Sequence, residues 1–246
     1  MKYMGSKNRI AKHILPIILQ NRTPDQWYVE PFVGGGNIID KVKGKRIGSD
    51  SNKYVSALLD YLSKGNLPEE ISKEKYQSIK QFKGDHPDWL VGYAGICCSY
   101  SGKWFGGFAG EVDTKGGIRN YQKEALANIE KQSLGLVGAT FKGDCYSELY
   151  IPPNSVIYCD IPYAGTTKYK DSFDHPDFWQ WCREKGDEGH TVFVSEYNAP
   201  DDFVCVWQQE VKSSLSANGK VGGNKVSIEK LFIHKSKVES DYESLY

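Results

Sequence analysis

The sequence predicts an α/β protein whose sheet is largely parallel and has helices on both faces. Short apolar runs, bounded by turn residues, alternate with helical stretches along most of the chain. The first run leads into three consecutive glycines at 34–36, and the alternation stops between about 64 and 138. Strands that alternate with helices are typical of a sheet that binds its ligands at the carboxyl ends of its strands.

The expected elements follow these patterns in chain order. Strands are predicted at 27–32, 45–50, 139–143, 155–160, 190–196, 203–210 and 226–234. Helices are predicted at 6–20, 36–43, 51–63, 69–83, 120–134 and 175–185. Pro16 should kink or end the first helix, because proline lacks the amide hydrogen that a helix interior uses. Asp50-Ser51 and Asp174 are predicted N-caps.

The segment 64–138 is predicted to be an insert. It shows no strong strand signal, and it combines two helical stretches with a loop rich in glycine and aromatic residues. A loop of that length is usually functional or part of an inserted subdomain. We therefore assign 1–63 and 139–246 to one domain and 64–138 to a subdomain within it.

Composition indicates a soluble globular protein. Hydrophobic residues make up 39% of the 246 residues and charged residues 25%. No apolar run approaches the roughly 20 residues that cross a bilayer, and the first residues do not resemble a signal peptide. Six cysteines without a CxxC spacing favour reduced thiols over a disulfide framework or a zinc site. A cytoplasmic protein without a membrane partner and without a metal is expected.

Charge alone does not assign a partner. The formal net charge is zero, with basic clusters at 2–12, 41–46 and 212–237 and an acidic stretch at 171–188. A protein that grips nucleic acid must neutralise phosphates locally. Such clusters are, however, more often solvated faces than nucleic-acid sites.

A glycine turn and an acid predict a site for a nucleoside cofactor. The run 29–37 is a strand followed by Gly34-Gly35-Gly36, and glycine lets the backbone turn tightly and approach a ligand. Asp50 ends the next predicted strand, where a carboxylate can accept hydrogen bonds from both ribose hydroxyls. Ile39 is too large for the third position of the NAD pattern, and the P-loop pattern is absent. S-adenosylmethionine, which lacks a pyrophosphate, remains possible, and so does a turn without a ligand.

A second strand-end acid predicts chemistry on an amino group. Asp160 ends the apolar run 155–160 and is followed by Ile161-Pro162-Tyr163. The amino nitrogen of a purine is a poor nucleophile, and acceptors for both of its N–H bonds favour a tetrahedral, reactive nitrogen. Asp160 and the carbonyl of Ile161 can be those acceptors, and Tyr163 can stack on a base turned out of a duplex. The alternative is that Asp160 caps a turn and Tyr163 packs on the surface.

The motifs together resemble the Dam-type family of adenine-N6 DNA methyltransferases. The resemblance covers nearly the whole chain in the family's order, and it is carried by residues 2–7, 30–36, Asp50, 141–144 and 160–163. It implies a Rossmann-like methyltransferase sheet with a mainly helical, inserted target-recognition subdomain. It also implies S-adenosylmethionine as the cofactor and double-stranded DNA as the partner of a monomer or weak dimer.

The resemblance assigns roles to individual residues. Cofactor binding is expected of Tyr3, Lys7, Glu30, Phe32, Gly34, Gly36, Asp50, Asp144 and Asp160. Catalysis is expected of Asp160, Ile161, Pro162 and Tyr163. Candidate DNA contacts are Lys103, Arg119 and Asn120, with exposed loop residues that touch no DNA as the alternative.

Two departures from the family accompany the match. Ile161 stands where the family usually has proline, which predicts a less rigid carbonyl without loss of activity. The match through 64–138 is loose, so the recognised sequence stays open.

Other chemistries fit the residues less well. Methylation at cytosine carbon 5 needs a cysteine nucleophile on a Pro-Cys element, which the sequence lacks. Cytosine N4 methylation usually has a serine in the place of Asp160. RNA is the nearest alternative substrate, because basic clusters do not distinguish the two backbones. A DNA-binding relative that has lost catalysis is the alternative outside enzymes.

Overall fold

The computed structural model describes residues 1–114, 116–163, 173–212 and 226–241. The chain forms two compact units: Met1–Leu15 with Thr23–Ile151, and Pro16–Arg22 with Pro152–Tyr246. Within the described residues the strands are Tyr28–Glu30 (β1), Arg46–Ser49 (β2), Glu111–Thr114 (β3), Gly117–Asn120 (β4), Thr140–Lys142 (β5), Val156–Asp160 (β6), Thr191–Glu196 (β7), Phe203–Lys212 (β8) and Val226–His234 (β9). The α-helices are Ala11–Ile18 (α1), Lys53–Ser63 (α2), Lys73–Gln81 (α3), Asp88–Gly92 (α4), Tyr121–Leu136 (α5), His175–Asp187 (α6) and Lys235–Asp241 (α7).

The first unit contains three parallel strands in the order β5-β2-β1. Val29 lies beside Ile47, and Gly48 lies beside Phe141. Every residue of β1 and β2 is buried, as expected for parallel strands that are covered on both faces. The antiparallel hairpin β3-β4 belongs to the same unit.

The second unit contains β6 and β7 as a parallel pair, followed by β9 and β8 in antiparallel pairing. Helix α6 connects β6 to β7, and Asp174 caps its first turn by accepting a hydrogen bond from the amide of Asp177 at 3.0 Å. The parallel strands of both units, alternating with helices, confirm the predicted α/β, Rossmann-like class.

Each of the seven predicted strands is present, whereas two predicted helices and one predicted N-cap differ from the structure. The helix predicted at 36–43 is only a 3-10 turn, Ile39–Lys41, and the one at 6–20 is a 3-10 turn, Lys7–Arg9, followed by α1. Pro16 lies inside α1, which ends two residues later at Ile18. Helix α2 is capped by Asn52 in place of Asp50-Ser51, since the Asn52 side chain accepts from the amide of Tyr54.

The insert contains strands that the sequence did not reveal. The hairpin β3-β4 lies within 64–138, where no strand was expected. Its residues are exposed or half-buried, so the alternation of apolar and polar residues that a half-buried strand shows is missing. The boundaries proposed for the insert stay a prediction.

One buried arginine ties the end of α5 to β2. The Arg46 guanidinium donates to the carbonyls of Gly135, at 2.6 Å, and Ile39, at 3.2 Å. Carbonyls at the end of a helix have no partner within the helix, and Arg46 supplies one. The same region is tightly packed, because a Cβ added to Gly135 would lie 2.2 Å from the carbonyl oxygen of Asp40.

Among the described residues, no helix combines the length and the apolar character that a bilayer crossing requires.

Replacing Gly135 by alanine should destabilise the protein. The new methyl group would push against the backbone of Asp40, and overpacking of this kind costs about 1–3 kcal/mol. Chemical denaturation would measure the free energy of unfolding. Gly186→Ala is the matched control, because Gly186 also lies in a helix but has open space around it. Alanine there should stabilise the helix by up to about 1 kcal/mol. Equal effects of the two substitutions would contradict this account.

Candidate active site

The candidate cofactor residues of the first unit follow three neighbouring strand ends. Glu30 lies beside Gly48, and Ser49 lies beside Lys142, so β1, β2 and β5 end at one edge of their sheet. The glycine turn follows β1, Asp50 follows β2, and Asp144 comes two residues after β5. The carboxyl edge of parallel strands is where ligands of such sheets bind.

The glycine turn adopts a conformation that favours glycine. Gly34 has φ +46° and Gly36 has φ +65°, both in the left-handed region that disfavours a residue with a Cβ. A Cβ on Gly36 would also come within 3.0 Å of Leu59 Cδ2 on α2. The predicted tight turn is therefore present.

Asp50 binds the glycine turn directly. Its Oδ2 accepts from the amide of Gly34 at 3.1 Å, and its Oδ1 accepts from the amide of Asn52 at 2.9 Å. Burial raises the pKa of the Asp50 carboxyl, and the two amide donors oppose that rise in part. Each carboxylate oxygen has a second lone pair, so Asp50 can also accept from two neighbouring hydroxyls such as those of a ribose.

Tyr3 lies against the glycine turn. A Cβ on Gly34 would be 2.8 Å from Tyr3 Cε1, and one on Gly35 would be 2.6 Å from Tyr3 Cβ. The backbone of the same segment contacts the insert, since a Cβ on Gly102 would be 2.5 Å from the carbonyl oxygen of Lys2 and 2.9 Å from Tyr3 Cα. Tyr3 is thus packed between the glycine turn and the 3-10 turn Tyr100–Gly102.

The other predicted cofactor residues of this unit have defined surroundings. Glu30 is buried and accepts from the hydroxyl of Tyr28 at 2.7 Å. Phe32 stacks on Tyr146, with ring centroids 5.2 Å apart. Lys7 begins the 3-10 turn before α1 and is half-buried, and Asp144 is exposed.

Two supporting residues were missed by the sequence analysis. The hydroxyl of Ser49 is buried and donates to the carbonyl of Asp144 at 2.7 Å. Gln132, on α5, donates to the carbonyl of Gly35 at 2.9 Å. No motif contains either residue, and Gln132 is 97 positions from its partner, so no local sequence signal could have found it.

The predicted catalytic element belongs to the second unit. Asp160 is the last residue of β6 and lies beside Ser195 of β7. Ile161 is 3% exposed, so packing of its side chain restrains the backbone where the family has proline. Pro162 and Tyr163 are half-buried. The pKa of Tyr163 is raised first by burial and then by the negative charges of Asp160 and Glu229.

The candidate DNA contacts lie in the first unit, and two of them have partners within the chain. Arg119, at the end of β4, donates from Nη2 to Glu124 Oε2 at 2.9 Å and lies over the ring of Tyr121. Asn120 caps α5 by accepting from the amide of Lys123 at 3.0 Å. Lys103 is exposed in the loop after the 3-10 turn.

Part of the basic cluster at 212–237 is not among the residues that the structure describes. Lys220 and Lys225 lie outside the described residues. Within the described part of the chain, no group of three or more His, Cys, Asp or Glu side chains could hold a metal ion.

A family model matches the first part of the chain. The fold and the strand-end acids define a Rossmann-like protein with a candidate nucleoside site. Residues 3–87 match the model of the D12 class N6 adenine-specific DNA methyltransferases. The matched residues are a minority of the 246, and the match agrees with the resemblance seen in the sequence. It covers Tyr3, the glycine turn and Asp50, whereas Asp144 and Asp160 lie beyond it.

Comparisons were also made with curated protein sequences and with solved structures. No curated protein sequence matches the chain. A solved structure that matches is SMU.472, described as "a putative methyltransferase complexed with SAH", at 12% identity and a TM-score of 0.36. The match covers 95% of this chain and 54% of that chain, so this chain spans about half the length of SMU.472.

Alanine at Gly102 should weaken the binding of S-adenosylmethionine, the cofactor that the sequence resemblance implies. The added Cβ would displace the backbone of Lys2 and Tyr3. If this displacement costs the bound state about 1–2 kcal/mol, the affinity falls about tenfold. Titration calorimetry would measure the dissociation constant. Gly117→Ala is the control, because Gly117 also has a positive φ but nothing within 4 Å of its added Cβ. The same loss of affinity in both variants would indicate general backbone strain and contradict the proposed contact.

Proposed function

We propose that this chain is a site-specific DNA methyltransferase that transfers a methyl group from S-adenosylmethionine to N6 of an adenine turned out of duplex DNA. The observation that carries the proposal is the element at the end of β6. There a strand-end carboxylate, Asp160, precedes a residue whose side chain is anchored in the core, and then comes an aromatic side chain, Tyr163. The family match supports methyl transfer to adenine in DNA.

The first unit supplies residues that fit the cofactor. Asp50 can accept from the ribose hydroxyls while it holds the glycine turn, and a Cβ in that turn would collide with Tyr3. Lys7 can pair with the carboxylate of the methionine moiety of S-adenosylmethionine. Glu30 can pair with its ammonium group. Asp144 and the Phe32–Tyr146 pair flank the proposed place of the adenine. When bound, S-adenosylmethionine supplies an electrophilic methyl group on a positively charged sulfur.

Asp160 and the backbone after it prepare the amino group of the target. The lone pair of adenine N6 is delocalised into the ring, and acceptors on both N–H bonds favour its localisation on nitrogen. We assign those acceptors to the Asp160 carboxylate and the Ile161 carbonyl, and Pro162 stiffens the segment that follows. Fixed acceptors in a positioned site lower the barrier without reorganisation during the reaction.

The bonds of the transfer balance without a further reactant. A nitrogen–carbon bond forms between N6 and the methyl group, the carbon–sulfur bond breaks, and sulfur keeps its electron pair. The nitrogen then holds a positive charge and loses one proton. Asp160 can hold that proton, and it need not act as a strong base because the proton leaves after methyl transfer.

DNA is the proposed partner of the insert and of the basic segments near it. Contacts to phosphates position a protein on the duplex, whereas contacts to base edges determine the sequence that is read. Lys103, Arg119 and Asn120 are the candidate contacts. Arg119 must exchange Glu124 for a phosphate or a base edge if it binds DNA. A target adenine then leaves the stack at a cost of a few kcal/mol, and Tyr163 stacks on it.

Asp160→Ala should abolish most methyl transfer while the fold persists. Loss of a fixed hydrogen-bonding group of this kind lowers the turnover number by about a hundredfold to a thousandfold. Transfer of a labelled methyl group to duplex DNA, with sequencing of the modified bases, would measure the effect and test the position. Asp201→Ala is the control, since Asp201 is an exposed carboxylate of the same unit. Wild-type turnover in the Asp160 variant would refute the assigned role. Equal labelling of RNA by the wild-type chain would contradict the assignment of DNA as the substrate.

Tyr163→Ala should weaken the handling of the extruded base. Stacking of a base on an aromatic side chain contributes about 1–3 kcal/mol. The loss should appear in the Michaelis constant for DNA and in the turnover number, measured in steady state. Calorimetry should show unchanged affinity for S-adenosylmethionine. Unaltered kinetic constants would exclude Tyr163 as the stacking residue.

A further inference from the structure

Tyr163 is held by two residues that belong to no motif of the sequence. Its hydroxyl donates to Glu229 Oε2 at 2.6 Å. Its ring meets that of Tyr197 edge to face, with centroids 4.5 Å apart and an interplanar angle of 73°. One contact therefore fixes the far end of the side chain, and the other fixes the ring.

The strand register explains how Glu229 reaches Tyr163. The pairing of β9 with β7 ends at Lys230 beside Glu196, whereas its pairing with β8 continues to Val226 beside Lys212. Since β9 runs opposite to β7, its first residues extend past the carboxyl end of β7. Asp160 lies beside Ser195, so β6 ends on that same side. Glu229 thus belongs to a two-stranded extension at the end of the sheet that carries the catalytic element.

We propose that Glu229, together with Tyr197, is a positioning residue that orients the Tyr163 ring to receive the extruded adenine. The inference rests on the proposed function and deepens it. Tyr163 is the residue that would touch the base, and Glu229 acts only through it. A side chain that is already ordered loses less conformational entropy when it stacks on a base. An unrestrained tyrosine would have to lose that freedom in each turnover.

The electrostatics of the cluster suit this role. Burial and the nearby charges of Asp160 and Glu229 raise the pKa of Tyr163 well above its usual value. The phenol therefore keeps its proton at neutral pH and remains a hydrogen-bond donor. Glu229, as a carboxylate, is the acceptor, and a bond to a charged acceptor is stronger than one between neutral groups.

The test is a double-mutant cycle on Tyr163 and Glu229 in the full chain. The variants are Tyr163→Phe, Glu229→Ala, Glu229→Gln and the two double variants. Glu210→Ala is the matched control, because Glu210 is an exposed carboxylate of the same hairpin that lies beside Ile228. The substrate is a duplex whose methylated adenine has been identified by sequencing, and a second duplex carries 2-aminopurine at that position.

Four measurements separate positioning from a structural role. These are the turnover number, the Michaelis constant for DNA, the fluorescence of 2-aminopurine on binding, and the affinity for S-adenosylmethionine. Tyr163→Phe and Glu229→Ala should each lower kcat/KM about tenfold, the size expected for one hydrogen bond to a carboxylate. Both should reduce the fluorescence gain while leaving the affinity for S-adenosylmethionine unchanged.

The decisive result is the absence of additivity. If Glu229 acts through the phenol, then Glu229→Ala in the Tyr163→Phe background should cost no further activity. Glu229→Gln should recover part of the loss, because its amide oxygen still accepts the bond. Should Glu229→Ala fail to fold, the cycle with Glu229→Gln and Tyr163→Phe gives the same comparison.

The outcomes distinguish this inference from the function on which it rests. Losses that multiply in the double variant, or a loss of cofactor affinity in the Glu229 variants, would overturn the positioning role. A loss of the same size in Glu210→Ala would point to the charge of the hairpin and would also overturn it. A wild-type chain that methylates no adenine would overturn the proposed function, whereas an active wild type with multiplying losses overturns only the role of Glu229.

Discussion

The hydrogen bond from the Gly34 amide to the Asp50 carboxylate is the contact on which the candidate cofactor site depends. The same carboxylate accepts from the amide of Asn52, whose side chain begins α2. One side chain therefore joins the turn after β1, the end of β2 and the start of a helix. Burial of a carboxylate is costly, and backbone amide donors offset part of that cost. The group remains able to accept further hydrogen bonds from a ligand.

The turn that Asp50 holds is supported from distant parts of the chain. Gln132 binds the carbonyl of Gly35, and Tyr3 packs on Gly34 and Gly35. Ser49 in turn fixes the backbone at Asp144. Buried polar groups need partners, and in this unit the partners are largely backbone atoms. The residues that we assign to the cofactor are therefore held by contacts within the first unit, and ordering of this kind reduces the entropy lost on binding.

The predicted catalytic element shows how packing can replace the restraint that proline provides in the family that the sequence resembles. The family's proline would restrict the backbone through its ring. Ile161 has no such ring, but its side chain is buried, and movement of the backbone would remove it from the core. The sequence predicts lower rigidity at this residue, and the burial of its side chain provides a restraint of another kind. Tyr163 is restrained by partners as well, through its hydroxyl and its ring.

The sequence by itself determined the α/β class and seven of the described strands, namely all except the hairpin β3-β4. It also determined the glycine turn and the acids at two strand ends. These features depend on local patterns: apolar runs, glycines that allow a positive φ, and carboxylates next to strand ends. The hairpin β3-β4 was not predicted from the sequence, because its exposed strands lack an apolar face. Only the tertiary structure decided that Ser49, Gln132 and Glu229 each contact a residue that the sequence predicts to be functional or a neighbour of one. Their partners lie 95, 97 and 66 positions away, and a contact over such a separation is created by the packing of strands and helices, which leaves no mark in the neighbouring residues.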